Sequence, residues 1–191
     1  MPRHFQLAAV VTAVFLAALP SCAQSQQHAF DGKWWLNVNP DERSGFVNGF
    51  SDCAVWSAHN NSFNATPEQI GDKITERYET HKSSLNQSVI ELWKNLPTPM
   101  QKTSAGGETW SNPHWYLNVG WWLSEREPSQ SGYIEGYLHC SKSLSLSSES
   151  YSHSANFYSN QINVYLKTHK TAEKVPVATI LQRFRDQKEN K

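Results

Sequence analysis

Apolar residues recur at helical spacing in three successive stretches of each half of the chain, which predicts six amphipathic helical segments. The stripes of the first half are Phe46, Val47, Phe50 and Cys53; Ile70, Ile74 and Tyr78; and Leu85, Val89, Leu92, Trp93 and Leu96. Those of the second half are Tyr133, Ile134, Tyr137 and Cys140; Ile162, Tyr165 and Leu166; and Val177, Ile180, Leu181 and Phe184.

Three of these segments carry recognisable helix starts. Asn39 precedes Pro40 and two acidic residues, an arrangement typical of a capped first turn. The segment Thr66–Gln69 has the spacing of a capping box with proline at its first position. Pro176 fits the start of the last helix.

The two halves resemble each other at an offset of 87 residues. The stretch from Trp34 to Cys53 aligns without a gap on the stretch from Trp121 to Cys140, and seven of the 20 positions are identical. The similarity continues more weakly, with one residue inserted, as far as the last helix. We therefore predict an all-α fold of two tandem three-helix repeats, packed about a pseudo-two-fold axis. Each repeat is expected to follow a short strand or an extended lead-in, with His114–Val119 as a candidate strand.

The start of the chain is typical of an export signal. A basic beginning is followed by an apolar core of 13 residues, Leu7–Leu19, and by small residues ending at Ala23. This predicts a periplasmic or secreted protein. The alternative is a lipid-anchored one, because Leu19–Cys22 resembles a lipobox that would lipidate Cys22. The predicted organisation is residues 1–23 signal peptide, 24–96 first repeat, 97–113 linker and 114–191 second repeat.

Cysteines and glycines of the repeat share one helix face. Cys53 and Cys140 are an even pair in an oxidising compartment, which predicts a disulfide between them. Gly45 and Gly49 precede Cys53 at intervals of four residues, and the second repeat has the same pattern. Because glycine is unfavourable inside a helix, we expect a close packing contact there. A glycine-lined ligand groove is the alternative.

Two tryptophan pairs are the candidate binding residues. The first interpretation is that these rings pack in the core, because aromatic side chains supply much of the buried area of small domains. The second is that exposed rings stack on a sugar or anchor a partner protein. The residues concerned are Trp34, Trp35, Trp121 and Trp122.

Charge and motifs exclude several classes of function. The chain has 17 basic and 17 acidic residues, so it lacks the excess of positive charge that is typical of nucleic-acid-binding proteins. The sequence contains no phosphate loop, dinucleotide fingerprint, nucleophile elbow or clustered metal ligands. We predict no catalytic residue, no cofactor and no metal.

The helix patterns of the first half resemble a known family. Gly45–Phe50, Thr66–Gln69 and Tyr78–His81 together are similar to the small periplasmic immunity proteins of the Tai type. That resemblance implies an all-helical inhibitor of peptidoglycan amidases delivered by type VI secretion. It assigns no inhibitory residue in this chain.

Three functions follow as hypotheses. The first is an exported, non-enzymatic binding protein with a protein partner, such as an inhibitor of a cell-wall enzyme. The second is a carbohydrate or small-ligand binder that uses the tryptophan pairs. The third is a hydrolase whose site has no recognisable motif. Membrane association is expected only if Cys22 is lipidated.

Overall fold

The computed structural model describes residues 30–58, 65–96, 117–143 and 151–185, and their regular structure is helical. No strand occurs among these residues, which confirms the all-α prediction. The α-helices are α1 (Gly32–Asn37), α2 (Pro40–Ala58), α3 (Pro67–Thr80), α4 (Val89–Asn95), α5 (Val119–Ser124), α6 (Glu127–Ser143), α7 (Ala155–Thr168) and α8 (Val177–Leu181). Short 3-10 helices cover Lys82–Asn86 and Gln182–Phe184.

The predicted helix starts are confirmed. The side chain of Asn39 accepts a hydrogen bond of 2.8 Å from the amide of Asp41 at the start of α2. At α3, Thr66 and Gln69 form the reciprocal capping box, with bonds of 3.3 and 3.0 Å. Pro176 occupies the N-cap of α8. Local sequence signals therefore fix where these three helices begin.

The lead-ins that carry the tryptophan pairs are short helices and not strands, whereas Asp31 and Asn118 just before them are extended and each form an isolated β-bridge. Helix α1 contains the first tryptophan pair and α5 the second. The side chains of Asp31 and Asn118 cap these helices by accepting hydrogen bonds from amides of the first turn. Val119, from the candidate strand, is the first residue of α5, whereas residues 114–116 lie outside the described part.

Helices α2 and α6 pack against each other with their backbones in close contact. A β-carbon on Gly45 would collide with the carbonyl group of Ser129, and one on Gly49 with that of Tyr133. In the other direction, β-carbons on Gly132 and Gly136 would collide with backbone carbonyls of α2, at Glu42 and Phe46. Glycine is therefore required at all four positions, as the close-packing interpretation predicted.

A disulfide joins the same two helices. Cys53 and Cys140 are bonded, their Cα atoms are 6.0 Å apart, and both residues are fully buried. The predicted pairing is confirmed. It links α2 to α6 just beyond the glycine contacts.

Each half has its own apolar core. One cluster contains Trp35 and Phe46 with the buried faces of α3 and α4. The other contains Trp122 and Tyr133 with the buried faces of α7 and α8. The second cluster also includes Cys53 of α2, so the cores meet at the disulfide.

Several predictions concern residues that the structure does not describe. The signal peptide, the lipidation candidate Cys22 and the linker 97–113 all lie outside the described ranges. The domain boundaries, which fall in or beside those stretches, remain predictions. Within the described ranges, no helix has both the length and the apolar character needed to cross a bilayer.

Candidate functional site

An open groove of about 260 Å³ lies between α2 and α3. Its α2 wall contains Pro40, Arg43, Ser44 and Val47, its α3 wall contains Pro67, Glu68, Gly71, Asp72 and Thr75, and Trp35 of α1 stands behind them. Prolines, charged groups and a glycine thus surround one concave surface. We refer to these ten residues as the α2–α3 groove.

The back of the groove is held rigidly. The Trp35 indole N–H donates a hydrogen bond of 2.9 Å to the Thr75 hydroxyl. That hydroxyl donates 2.8 Å to the carbonyl oxygen of Gly71. Trp35 is fully buried. Both polar groups at the back therefore already have hydrogen-bond partners. The polar groups that remain available to a ligand lie on the two walls.

Arg43 is the cation of the groove. Its guanidinium lies over the Trp35 ring, 5.9 Å from the ring centroid, in a cation–π arrangement. Within the described residues this guanidinium has no hydrogen bond and no ion pair. Arg43 is therefore oriented by an aromatic surface while its donors stay available.

The opposite wall is acidic. Glu68 and Asp72 stand one turn apart on α3, so both face the groove. Both are exposed, and neither carboxylate pairs with Arg43 within ion-pair distance. The groove thus carries separated positive and negative groups on its two walls.

The corresponding positions of the second half are neutral. Helix α2 aligns with α6 at an offset of 87 residues, and α3 aligns with α7 at an offset of 88. In this alignment Arg43 corresponds to Gln130, Glu68 to Asn156 and Asp72 to Asn160. Gln130 donates 2.7 Å to the carbonyl oxygen of Trp122 rather than facing outward.

Two further features distinguish the α6–α7 pair from the α2–α3 pair. Ser131 and Asn156 are linked by a hydrogen bond of 3.5 Å between α6 and α7. Where α3 has Gly71, α7 has Ser159, whose hydroxyl is buried. The three charges of the groove are thus a feature of the first half.

The four tryptophans proposed as binding residues differ in how deeply they are buried. Trp35 and Trp122 are 0% exposed, and their indole N–H groups donate to Thr75 and Asn163. Trp34 and Trp121 are half-buried and contact the rings of Phe46 and Tyr133 at 5.4 and 5.3 Å. Trp35 and Trp122 therefore have no exposed surface on which a ligand could stack.

A buried acid lies at the crossing of α2 and α6. Asp52 accepts hydrogen bonds from the Tyr133 hydroxyl at 2.7 Å and from the Leu117 amide at 3.3 Å. Burial raises the pKa of Asp52 from 3.8 to about 7, against the opposing effect of these two donors. Burial and the neighbouring Asp52 raise the pKa of Tyr133 well above its usual value.

Two other titratable groups face the same crossing. Burial raises the pKa of Glu135 to about 7, and the charge of Glu42 adds to the effect. His139 contacts the rings of Phe30 and Phe46, and burial lowers its pKa. None of these groups lines the α2–α3 groove.

Of the ten groove residues, only Trp35 was proposed from the sequence as a binding residue, and the charged residues of the walls were not. Two signals pointed to them: acidic residues one turn apart on one face of a predicted helix, and Gly71 inside that helix. Among the described residues no three potential metal ligands cluster together. Searches of protein-family models, curated proteins and solved structures found nothing that matches the chain.

Proposed function

We propose that the chain is an exported, non-enzymatic binding protein and that the α2–α3 groove receives a segment of a protein partner. The observation that carries this proposal is Arg43, held over Trp35 at an open groove with its hydrogen-bond donors unused. Arginine is among the residues most enriched at binding hot spots, and the buried Trp35 ring orients this one from behind.

The position of the perturbed acids supports a role in binding rather than catalysis. Catalytic sites collect titratable groups with displaced pKa values around a cleft. Here Asp52 and Glu135 lie where α2 crosses α6, and Asp52 is only 3% exposed. Their surroundings give them a structural role in joining the halves, away from the groove.

We also propose that the halves are tandem repeats related by an approximate two-fold axis. The reciprocal glycine contacts support this arrangement, because each contact of α2 on α6 has a counterpart of α6 on α2. Matching hydrogen bonds tie each lead-in to its last helix: Val89 N donates to Phe30 O at 2.7 Å, and Val177 N to Leu117 O at 2.9 Å. The disulfide between corresponding cysteines fits the same axis.

Export is proposed from the first 23 residues together with the disulfide. Disulfides persist in oxidising compartments such as the periplasm, so the Cys53–Cys140 bond is compatible with that location. A lipid anchor on Cys22 is the alternative form of the same proposal. Either form presents the groove to partners outside the cytoplasm.

The partner class that we propose is a cell-wall enzyme. This follows from the resemblance to Tai-type immunity proteins, which inhibit peptidoglycan amidases. The open groove supports such a role, since a rigid concave surface suits a projecting loop of an enzyme.

Inhibition of a purified amidase tests the proposal. The chain, purified from the periplasm, is added to a type VI peptidoglycan amidase, and release of cell-wall fragments is measured. We expect inhibition by the wild type and by Lys73→Leu, and none by Gly71→Leu, which fills the groove. Lys73 is the matched control because it lies about 200° around α3 from Gly71. Equal inhibition by all three proteins would exclude the groove, and cell-wall cleavage by the chain itself would exclude a non-enzymatic role.

A further inference from the structure

We propose that the α2–α3 groove recognises a dipolar peptide segment, in which an acidic side chain binds Arg43 and a basic side chain binds Glu68 and Asp72. This inference rests on the proposed binding function and specifies what the partner presents. The other occupant that the charges admit is a free zwitterionic amino acid, and the experiment distinguishes the two.

The separation of the charges is the first argument. Arg43 lies on the α2 wall and the two carboxylates lie on the α3 wall, yet no ion pair forms across the groove. Each group is at least partly exposed and has no hydrogen bond or ion pair among the described residues. A ligand with opposite charges in the complementary order satisfies both walls at once, whereas a ligand with a single charge is repelled by one of them.

The geometry of Arg43 is the second argument. The Trp35 ring supports the guanidinium from one side, so less side-chain freedom remains to be lost on binding. A guanidinium presents parallel N–H donors that match the two oxygens of a carboxylate. An acidic side chain is therefore the natural ligand for this wall.

The pair of acids is the third argument. Like charges one turn apart repel each other and destabilise a helix. The helix dipole favours Glu68, which is in the first turn of α3, but Asp72 lies beyond that turn. A lysine or arginine side chain placed between the two carboxylates relieves their repulsion. Its aliphatic stem can contact Pro67 at the base of the same wall.

The second half supplies the fourth argument. All three charges of the groove are replaced there by neutral amides, Gln130, Asn156 and Asn160. Charge is therefore not needed to build this packing of helices. The two sequences together define a neutral variant in which Arg43→Gln, Glu68→Asn and Asp72→Asn are combined, and each new side chain already occurs at the corresponding place.

Binding to an array of blocked pentapeptides tests the inference. The peptides are acetylated and amidated, carry one acidic and one basic residue at varied spacing, and are matched by peptides in which glutamine replaces both. We expect the wild type to bind the best dipolar peptides about tenfold more tightly than their glutamine counterparts. The neutral variant should lose that preference, and Lys73→Leu should keep it.

The remaining outcomes separate this inference from the proposed function. Binding that Gly71→Leu abolishes, but that is equally strong for glutamine peptides, would overturn the charge inference and leave the groove as the binding site. Binding that Gly71→Leu does not change, or no binding at all, would count against both. If free glutamate or lysine competes with an affinity equal to that of the peptides, the ligand of the groove is a free amino acid and not a peptide.

Discussion

The Tyr133 hydroxyl donates a hydrogen bond of 2.7 Å to the carboxylate of Asp52, across the crossing of α2 and α6. The corresponding residues of the other half are Phe46 and His139, whose rings lie 5.9 Å apart. One side of the crossing thus pairs an acid with a hydroxyl, and the other pairs an imidazole with a phenyl ring. Both positions differ between the halves, and each group has a suitable neighbour.

The stability of the protein should depend on pH through Asp52. Its pKa is about 7 in the folded protein and 3.8 when unfolded, so the folded state binds the extra proton between those values. The contribution of Asp52 to stability is therefore largest below about pH 4 and falls until about pH 7. Asp52→Asn keeps an acceptor for Tyr133 and removes the titration. We expect it to reduce the decline of stability from pH 4 to 8, as measured by urea unfolding, and to leave the smaller decline that Glu135 causes.

A second variant controls for the loss of the hydrogen bond. Tyr133→Phe copies the residue found at position 46 and removes a donor that lowers the pKa of Asp52. The decline of stability with pH should then extend to higher pH, with the slope between pH 4 and 7 little changed because one carboxyl exchanges at most one proton. A profile of Asp52→Asn that runs parallel to the wild type would show that Asp52 does not titrate as its burial requires.

Two glycines should respond in opposite directions to the same substitution. Gly49→Ala places a methyl group against the backbone of Tyr133 and should destabilise the fold by about 1–3 kcal/mol. At Gly71 the nearest atom to a new β-carbon is a Val47 methyl at 3.9 Å, an ordinary contact. Gly71→Ala should therefore stabilise α3 by up to about 1 kcal/mol. Thermal unfolding measures both, and an equal effect of the two variants would refute the close contact at Gly49.

The disulfide should contribute a large part of the stability. It joins residues 87 positions apart, and the chain-entropy treatment gives such a loop at most about 4.5 kcal/mol. Reduction, or replacement of Cys53 and Cys140 by alanine, should lower the unfolding free energy by up to this amount. The intact mass should rise by two hydrogens on reduction. Two thiols that react with an alkylating agent before reduction would contradict the bond.

Local signals predicted the helices that carry them, and tertiary relationships were predicted only where the sequence repeats. The Thr66 capping box and the stripes of apolar residues defined α3, and the shared Gly–Gly–Cys face predicted both the close crossing and the disulfide. The lead-ins were missed because a six-residue helix has too few positions to establish a period. Their signal was the caps, Asp31 and Asn118.

The groove could not be read from the sequence for a different reason. It depends on how far α3 stands from α2, and that distance is set by Trp35, which packs behind both helices and bonds to Thr75. The charged residues at its walls are ordinary for the surface of a helix. Only the contrast with Gln130, Asn156 and Asn160 distinguishes them, and that contrast has meaning once the walls are known to face each other.

Photo-crosslinking in the source cell is the direct test of whether the α2–α3 groove binds a partner protein. Benzoylphenylalanine is placed at Ser44, which is exposed at the groove, and in a second strain at Asn160, which is exposed on the corresponding helix of the second half. If the groove binds a partner, position 44 should give one discrete protein adduct, and this adduct should disappear when Gly71→Leu is added. Position 160 should give no such adduct. An adduct from position 44 that survives Gly71→Leu, or an equal adduct from position 160, would contradict binding at the groove.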